Sequence, residues 1–379
     1  MKPTFIVFVA FSLCLSVLAQ DKPVAGKEAA KKAYAEGRYA DAVRLFAAEL
    51  AKEEAKPKPD WMELSYHNSY LGLAHRRAGQ YDKALEFLHK ALAIDLKHRG
   101  KDHPSVADTY NNIGIVHRAK AEYDKALEFY HKSLDIDLKK LGKDHPSVAL
   151  TYMNIGTVHQ EKAEYDKALE FLHKALAIDL KHHGKDHPDV ATTYVNIGST
   201  HYLKAFHGKV RDKKAEYDKA LEFYHKALVI NLVKLGKDHP SVADSYWGIG
   251  LAHDEKAEHD KALEFYYKAL AINLVKLGKD HHDVAAIYMN IGAVHYSKAK
   301  YDKALEFHQK ALAIEIKRLG KEHPNVALTY HSIGITYGAM KNVLKEKEWL
   351  KKAYAIQLEK LGKDHPDTKN TKAALDKLK

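Results

Sequence analysis

The stretch "YNNIGIVHRAKAEYDKALEFYHK", Tyr110 to Lys132, contains two helical faces and the turn between them. In its first half Tyr110, Ile113, Gly114 and His117 fall at i, i+3, i+4 and i+7, which is one face of a helix. A short turn around "AKAE" follows. Beyond it Ala126, Leu127, Tyr130, Leu134 and Leu138 make a second apolar stripe. Upstream, Pro104 is a favoured first helical residue, and downstream Gly142 in "LGKDHP" is placed as a helix C-cap before Pro146 opens the next helix. Two helices alone cannot bury both stripes, so this unit needs neighbours.

The neighbours are written into the chain. "YDKALEF" begins at Tyr81, Tyr123, Tyr165, Tyr217 and Tyr301, with "HDKALEF" at His259. The spacing is 42 residues throughout except for one step of 52, between Tyr165 and Tyr217. Degenerate copies start at Tyr39 ("YADAVRLF") and Val343 ("VLKEKEWL"), and "HPDTKNTKAALDKLK" closes the chain as a capping helix. The expected architecture is all-α: a right-handed α-solenoid of eight helix-turn-helix units. Their approximate bounds are 25–60, 61–103, 104–145, 146–187, 188–239, 240–281, 282–323 and 324–365, with the capping helix at 366–379. The longer fifth unit carries the basic insertion "FHGKVRDKKA", Phe206 to Ala215, expected as a surface turn.

A 42-residue period would also suit HEAT or armadillo repeats. The order Tyr110, Ile113, Gly114, His117, then Ala126 and Tyr130, instead resembles the tetratricopeptide repeat. Histidine stands where that family usually has tyrosine, and eight extra residues displace its closing proline to Pro146. This long form looks like the repeats of kinesin light chains and their bacterial relatives. The resemblance implies that the first helices line an inner surface able to hold an extended peptide.

At about 100° per residue, Asp108, Asn112, Ile115 and Ala119 point about 150–170° away from the Tyr110–Ile113–Gly114–His117 face. Asparagine recurs there as Asn154, Asn196 and Asn290, beside neighbours that vary: Asn111, Met153, Val195, Trp247 and Met289. An amide offers both a donor and an acceptor. A row of them can grip a peptide backbone, with the apolar neighbours as selective pockets. The same residues can equally be solvated or bond between adjacent helices. The candidate binding residues are therefore Asp108, Asn111, Asn112, Ile115, Met153, Asn154, Val195, Asn196, Trp247, Met289 and Asn290.

The chain's formal charge is +11, from 61 Lys and Arg against 50 Asp and Glu, mostly interleaved as i,i+4 pairs such as Glu86–Lys90 and Glu128–Lys132. That pattern describes a solvated surface, and no nucleic-acid partner is expected. Lys2, an apolar run from Phe5 to Leu18 and the small-residue end Val17-Leu18-Ala19 read as a signal peptide over 1–19, cleaved after Ala19. The expected location is therefore secreted or periplasmic, with no stable membrane insertion after cleavage. Cleavage would also remove Cys14, the single cysteine. Twenty-six histidines fall mainly in rows that repeat once per unit and do not converge on one ion, so neither a metal nor any other cofactor is expected. Surface zinc or nickel binding at His182–His183 or His281–His282 is the one exception. No phosphate-cradling loop, HExxH or nucleophile elbow is present. A non-enzymatic peptide-binding scaffold is the expected function, with a histidine-rich metal buffer as the alternative; the partner and the oligomeric state stay open.

Overall fold

The computed structural model describes residues 25–378; the expected signal peptide lies outside them. Among the described residues there are seventeen helices and no strand. The pairs are α1 (Ala25–Ala35) with α2 (Tyr39–Glu54), α3 (Trp61–Arg77) with α4 (Tyr81–Arg99), α5 (Pro104–Ala119) with α6 (Tyr123–Lys140), and α7 (Pro146–Glu161) with α8 (Tyr165–His183). These form one compact group, 25–185. The second group, 186–378, pairs α9 (Pro188–His207) with α10 (Lys213–Lys234), α11 (Pro240–Glu255) with α12 (His259–Lys276), α13 (His282–Ser297) with α14 (Tyr301–Leu319), and α15 (Pro324–Ala339) with α16 (Val343–Leu361). The closing helix is α17 (Pro366–Asp376).

Local chemistry sets each boundary. The junction histidine is an N-cap: the Nδ1 atoms of His103, His145 and His239 accept the backbone N–H of Ser105, Ser147 and Ser241 at 3.1–3.2 Å. Proline follows at the first helical position. The helix-to-helix turn passes through a left-handed residue, Gly79 at φ +74° in the second repeat but Ala121 and Ala163 at φ +57° and +58° in the next two.

Packing follows the repeat. Ile113 and Tyr130 are fully buried, and a Cβ added at Gly114 would lie 2.6 Å from Tyr130 Cε1, so glycine sets how closely α5 approaches α6. The second-helix stripe ends differently from its sequence reading. Leu138 is 36% exposed, whereas Ile136 and Asp137 one turn beyond Leu134 are buried. The expected helix-surface pairs form, with Lys90 to Glu86 and Lys132 to Glu128 at 2.6 Å. Such exposed pairs contribute about 0.3–0.5 kcal/mol each, against about 1.5–3 kcal/mol for each fully buried Leu, Ile or Phe. Packing therefore dominates. Half of the ten-residue insertion is helix: it lengthens α9 to His207 and starts α10 early, at an N-cap where Asp212 accepts from Ala215 N at 3.0 Å, with the turn left at 208–212.

Candidate functional site

Within each group consecutive first helices touch one another, α3 with α5 and α5 with α7, then α9 with α11, α11 with α13 and α13 with α15. That contact changes the reading of the asparagine row. Asn154 is 2% exposed, and its Nδ2 donates to Asn111 Oδ1 of the preceding repeat at 2.9 Å. Asn196 and Asn290 are buried too, with Nδ2 atoms that have no partner. Where glycine replaces the asparagine, at Gly248, an added Cβ would meet Tyr224 of the preceding second helix at 2.6 Å. At the same position Tyr70 stacks on Phe46 at 5.0 Å. The face turned away from a first helix's own partner is thus a second packed face, against the repeat before it.

Several expected contact residues are corrected by this packing. Met289 is 1% exposed, with its sulfur 3.4 Å from Thr329 Oγ1. Asn111, Ile115, Val195 and Trp247 are also buried. Asp108 is exposed, while Asn112 and Met153 are half-buried, so these three residues of the neighbouring helices α5 and α7 keep accessible surface.

A second row escaped the sequence reading. Near the end of each second helix a polar residue is buried or nearly so: Glu53, Asp95, Asp137, Asp179, Asn231, Asn273, Glu315 and Gln357. The signal was present as the fixed place of Asp, Asn, Glu or Gln within "IDL", "INL", "IEI" and "IQL". Three of these side chains, Asp95, Asn231 and Glu315, reach backbone or hydroxyl groups of first helices. Ser65 donates to Asp95 at 2.9 Å, Asn231 Nδ2 donates to Ser241 O at 3.2 Å, and Thr329 donates to Glu315 at 2.6 Å. Burial pushes the Asp137 carboxyl up to about 7, helped by the nearby Asp108 charge. Burial likewise lifts Asp244 to about 7, with Asp283 adding to it, and Glu315 to about 7.

The histidine row after the glycine is packed, as its place in the repeat implies. His117 stacks on Phe129 at 5.3 Å, and its Nδ1 meets Glu122 at 2.6 Å. That bond is the first cause holding Glu122 below the ordinary carboxylate range. His159 with Glu164 and His253 with Glu258 repeat it. In the seventh repeat Lys300 takes the acid's place, and both ring nitrogens of buried His295 are without a hydrogen-bond partner. Elsewhere, His281, His282 and Asp283 bring one ligand atom each within 4.8 Å of one another. His281 Nδ1 already accepts the Asp283 N–H at 3.3 Å.

No helix among the described residues is long and apolar enough to cross a membrane. None of the curated proteins matches the chain. Among solved structures it is similar to the apo quorum sensor NprR from B. thuringiensis, at 13% identity over 86% of this chain and 85% of that one, with a TM-score of 0.63. BtubC (BKLC) from P. vanneervenii matches at 22% identity over 66% and 93%, TM-score 0.51. Repeats assigned to a kinesin light chain of Podosopora anserina match at 20% over 55% and 94%, TM-score 0.45. The tetratricopeptide repeat model matches residues 61–139, 105–181, 147–209, 207–274 and 283–359. Proteins built of such repeats bind proteins or peptides and are generally non-catalytic. With helix pairs in register along its described length and that model matched over most of it, the chain belongs to the tetratricopeptide repeat family.

Proposed function

We propose that this chain is a non-enzymatic adaptor or assembly scaffold that holds a protein segment, in extended form, against the first-helix faces. The observation that carries this is the accessible surface left on the neighbouring helices α5 and α7, where Asp108, Asn112 and Met153 offer a carboxylate, an amide and a thioether. Backbone-directed polar groups next to an apolar contact suit an extended peptide. Asn154, committed to Asn111, supports this face from beneath.

Export is part of the same proposal and rests on residues 1–19; the mature chain would begin at Gln20 and work in the periplasm or outside the cell. N-terminal sequencing of the protein recovered from its native host tests that part, and a chain beginning at Met1 would reject it. For binding, the changes Asp108→Ala, Asn112→Ala and Met153→Ala are combined in one variant. The wild type is expected to capture a defined partner from the envelope fraction, the variant to lose it, and the helical content to stay unchanged. Full-strength capture by the variant would remove these residues from the binding surface.

Within the second group, the cluster His281, His282 and Asp283 favours the metal-buffer alternative. Calorimetric titration with zinc decides it: stoichiometric submicromolar binding that His282→Ala abolishes would support a dedicated site there.

A further inference from the structure

One histidine of the row after the repeat glycine lacks the acid that its counterparts have. In the third, fourth and sixth repeats the ring Nδ1 of His117, His159 and His253 meets the carboxylate of Glu122, Glu164 and Glu258 at 2.6–2.9 Å. The same carboxylate holds two lysines. Lys125, Lys167 and Lys261 lie 2.9–3.3 Å from one of its oxygens, and Lys120, Lys162 and Lys256 lie 3.5–3.9 Å from the other. Each turn is thus a small cationic cup around one carboxylate of the chain itself.

The seventh repeat builds the same cup without the carboxylate. His295 stacks on Phe307 at 5.6 Å and 17°, as His253 does on Phe265 at 5.7 Å and 13°, so the two rings stand alike. The turns match too. Ala299 takes φ +55° against +58° at Ala257, and the N–H of Lys300 donates to His295 O at 2.9 Å, as Glu258 N–H does to His253 O. Lys298 and Lys303 hold the places of Lys256 and Lys261, while Lys300 replaces the acid.

His295 is 4% exposed, and neither ring nitrogen has a hydrogen-bond partner. The nearby Glu306 pairs with Lys310 at 2.6 Å, as Glu264 does with Lys268, so it does not fill the gap. Lys298 binds Asp260, but its counterpart Lys256 binds Asp218 and still reaches Glu258. Burial first, then Lys303, Lys300 and Lys298, hold the His295 pKa below its ordinary 6.5. A buried donor without an acceptor, ringed by cations, is an unfavourable arrangement that an entering carboxylate relieves.

We propose that His295, Lys298 and Lys303 form a carboxylate-binding site in the turn between α13 and α14. The ligand is a carboxylate on a short unbranched stem, the shape of the missing glutamate side chain. It comes from a free small acid or from an acidic side chain of another polypeptide. One oxygen accepts from His295 Nδ1 and Lys303 Nζ, and the other faces Lys298, in the pattern of the three sister turns. Exposed Lys300 adds a positive charge at the rim. The site is independent of the peptide-binding reading above.

Long-range ¹H–¹⁵N NMR on the whole chain follows the histidine ring nitrogens. The His295 signals are assigned by their loss in His295→Tyr, a residue that the eighth repeat carries at this position as Tyr337. Propionate, added at constant ionic strength, is expected to shift these signals saturably, and its neutral twin propionamide is not. Lys300→Glu supplies the sister repeats' carboxylate from within. Without any ligand, its His295 signals should lie where propionate-saturated wild type puts them, and it should bind propionate at least about tenfold more weakly. Melting curves confirm that each variant is folded. Glutamate blocked at both ends, acetyl-Glu-NHMe, separates the two sources: if it matches propionate the site admits an acidic side chain, and if propionate alone binds the ligand is a free acid. The absence of a saturable shift, an equal shift from propionamide, or undiminished propionate binding in Lys300→Glu overturns the site. So does phosphate or chloride that binds as tightly as propionate, because the turn would then be a general anion patch.

Discussion

The two groups of repeats solve one packing problem with different chemistry. Each second helix carries a buried or nearly buried polar residue near its end. In the group 25–185 that residue is a carboxylate in every repeat, Glu53, Asp95, Asp137 and Asp179; in the group 186–378 it is an amide at Asn231, Asn273 and Gln357 and a carboxylate at Glu315 alone. An amide reaches Ser241 O while staying neutral. A buried carboxylate must either hold its charge out of water or hold a proton, and Asp137, lifted to about 7, does the second over much of the acidic range.

Exchanging the two chemistries gives the largest expected effect. In Asp137→Asn the folded chain no longer has to ionise a buried acid. The folded pKa of Asp137, about 7, lies above its ordinary value of 3.8. The favourable protonated state is therefore present at low pH, and stability is lost as the pH rises through that interval. The variant should match the wild type near pH 4 and exceed it by about 3 kcal/mol at pH 8. Urea unfolding at a series of pH values checks this. A gain that does not grow with pH would mean that Asp137 ionises freely and that the difference between the groups is not electrostatic.

A smaller effect with the opposite pH sign belongs to the second group. The residue under the repeat glycine is Tyr224, Tyr266 and Leu350 in three of its repeats but His308 in the remaining one. His308 is 3% exposed, its Nδ1 has no partner, and burial holds its pKa down at about 4. Because the folded pKa lies below the ordinary 6.5, stability is intact above pH 6.5 and is lost as the pH falls toward 4. His308→Leu should leave stability near pH 7.5 within about 1 kcal/mol and raise it by about 2 kcal/mol at pH 5. A flat difference across that range would show that the ring is solvated on opening and carries no proton linkage.

Much of this was legible from residues close together in sequence. The histidine cap before proline, the turn at "AKAE" and the glycine facing a large second-helix residue are all local signals, and each repeats often enough to fix the helix pairs. The binding face was harder, because a helical wheel drawn for α5 alone knows one partner, α6. The second packed face, where Asn154 meets Asn111, exists only once repeats are stacked. For the same reason Leu138 was assigned to the buried stripe and Asp137 was not, although burial falls the other way. The insertion was taken for a turn although "DKKA" from Asp212 is a passable capped helix start.

The helix-to-helix turns are where the groups agree, and they carry the smallest expected effect. Ala121 and Ala163 in one group and Ala257 and Ala299 in the other hold φ between +55° and +58°, where a Cβ crowds the following carbonyl. Gly37 and Gly79 occupy the matching place without that crowding. Left-handed geometry costs an L-residue about 1–2 kcal/mol, and glycine returns about 0.5–1 kcal/mol of this as extra freedom in the unfolded chain. Ala163 and Ala257 are exposed, so their methyl groups contribute little packing to offset the strain. Ala163→Gly and Ala257→Gly should therefore each stabilise by about 0.5 kcal/mol, independently of pH. Melting curves of both variants test the agreement. Equal small gains would confine the difference between the groups to their buried rows, whereas a gain in one group alone would show that the difference extends to backbone strain.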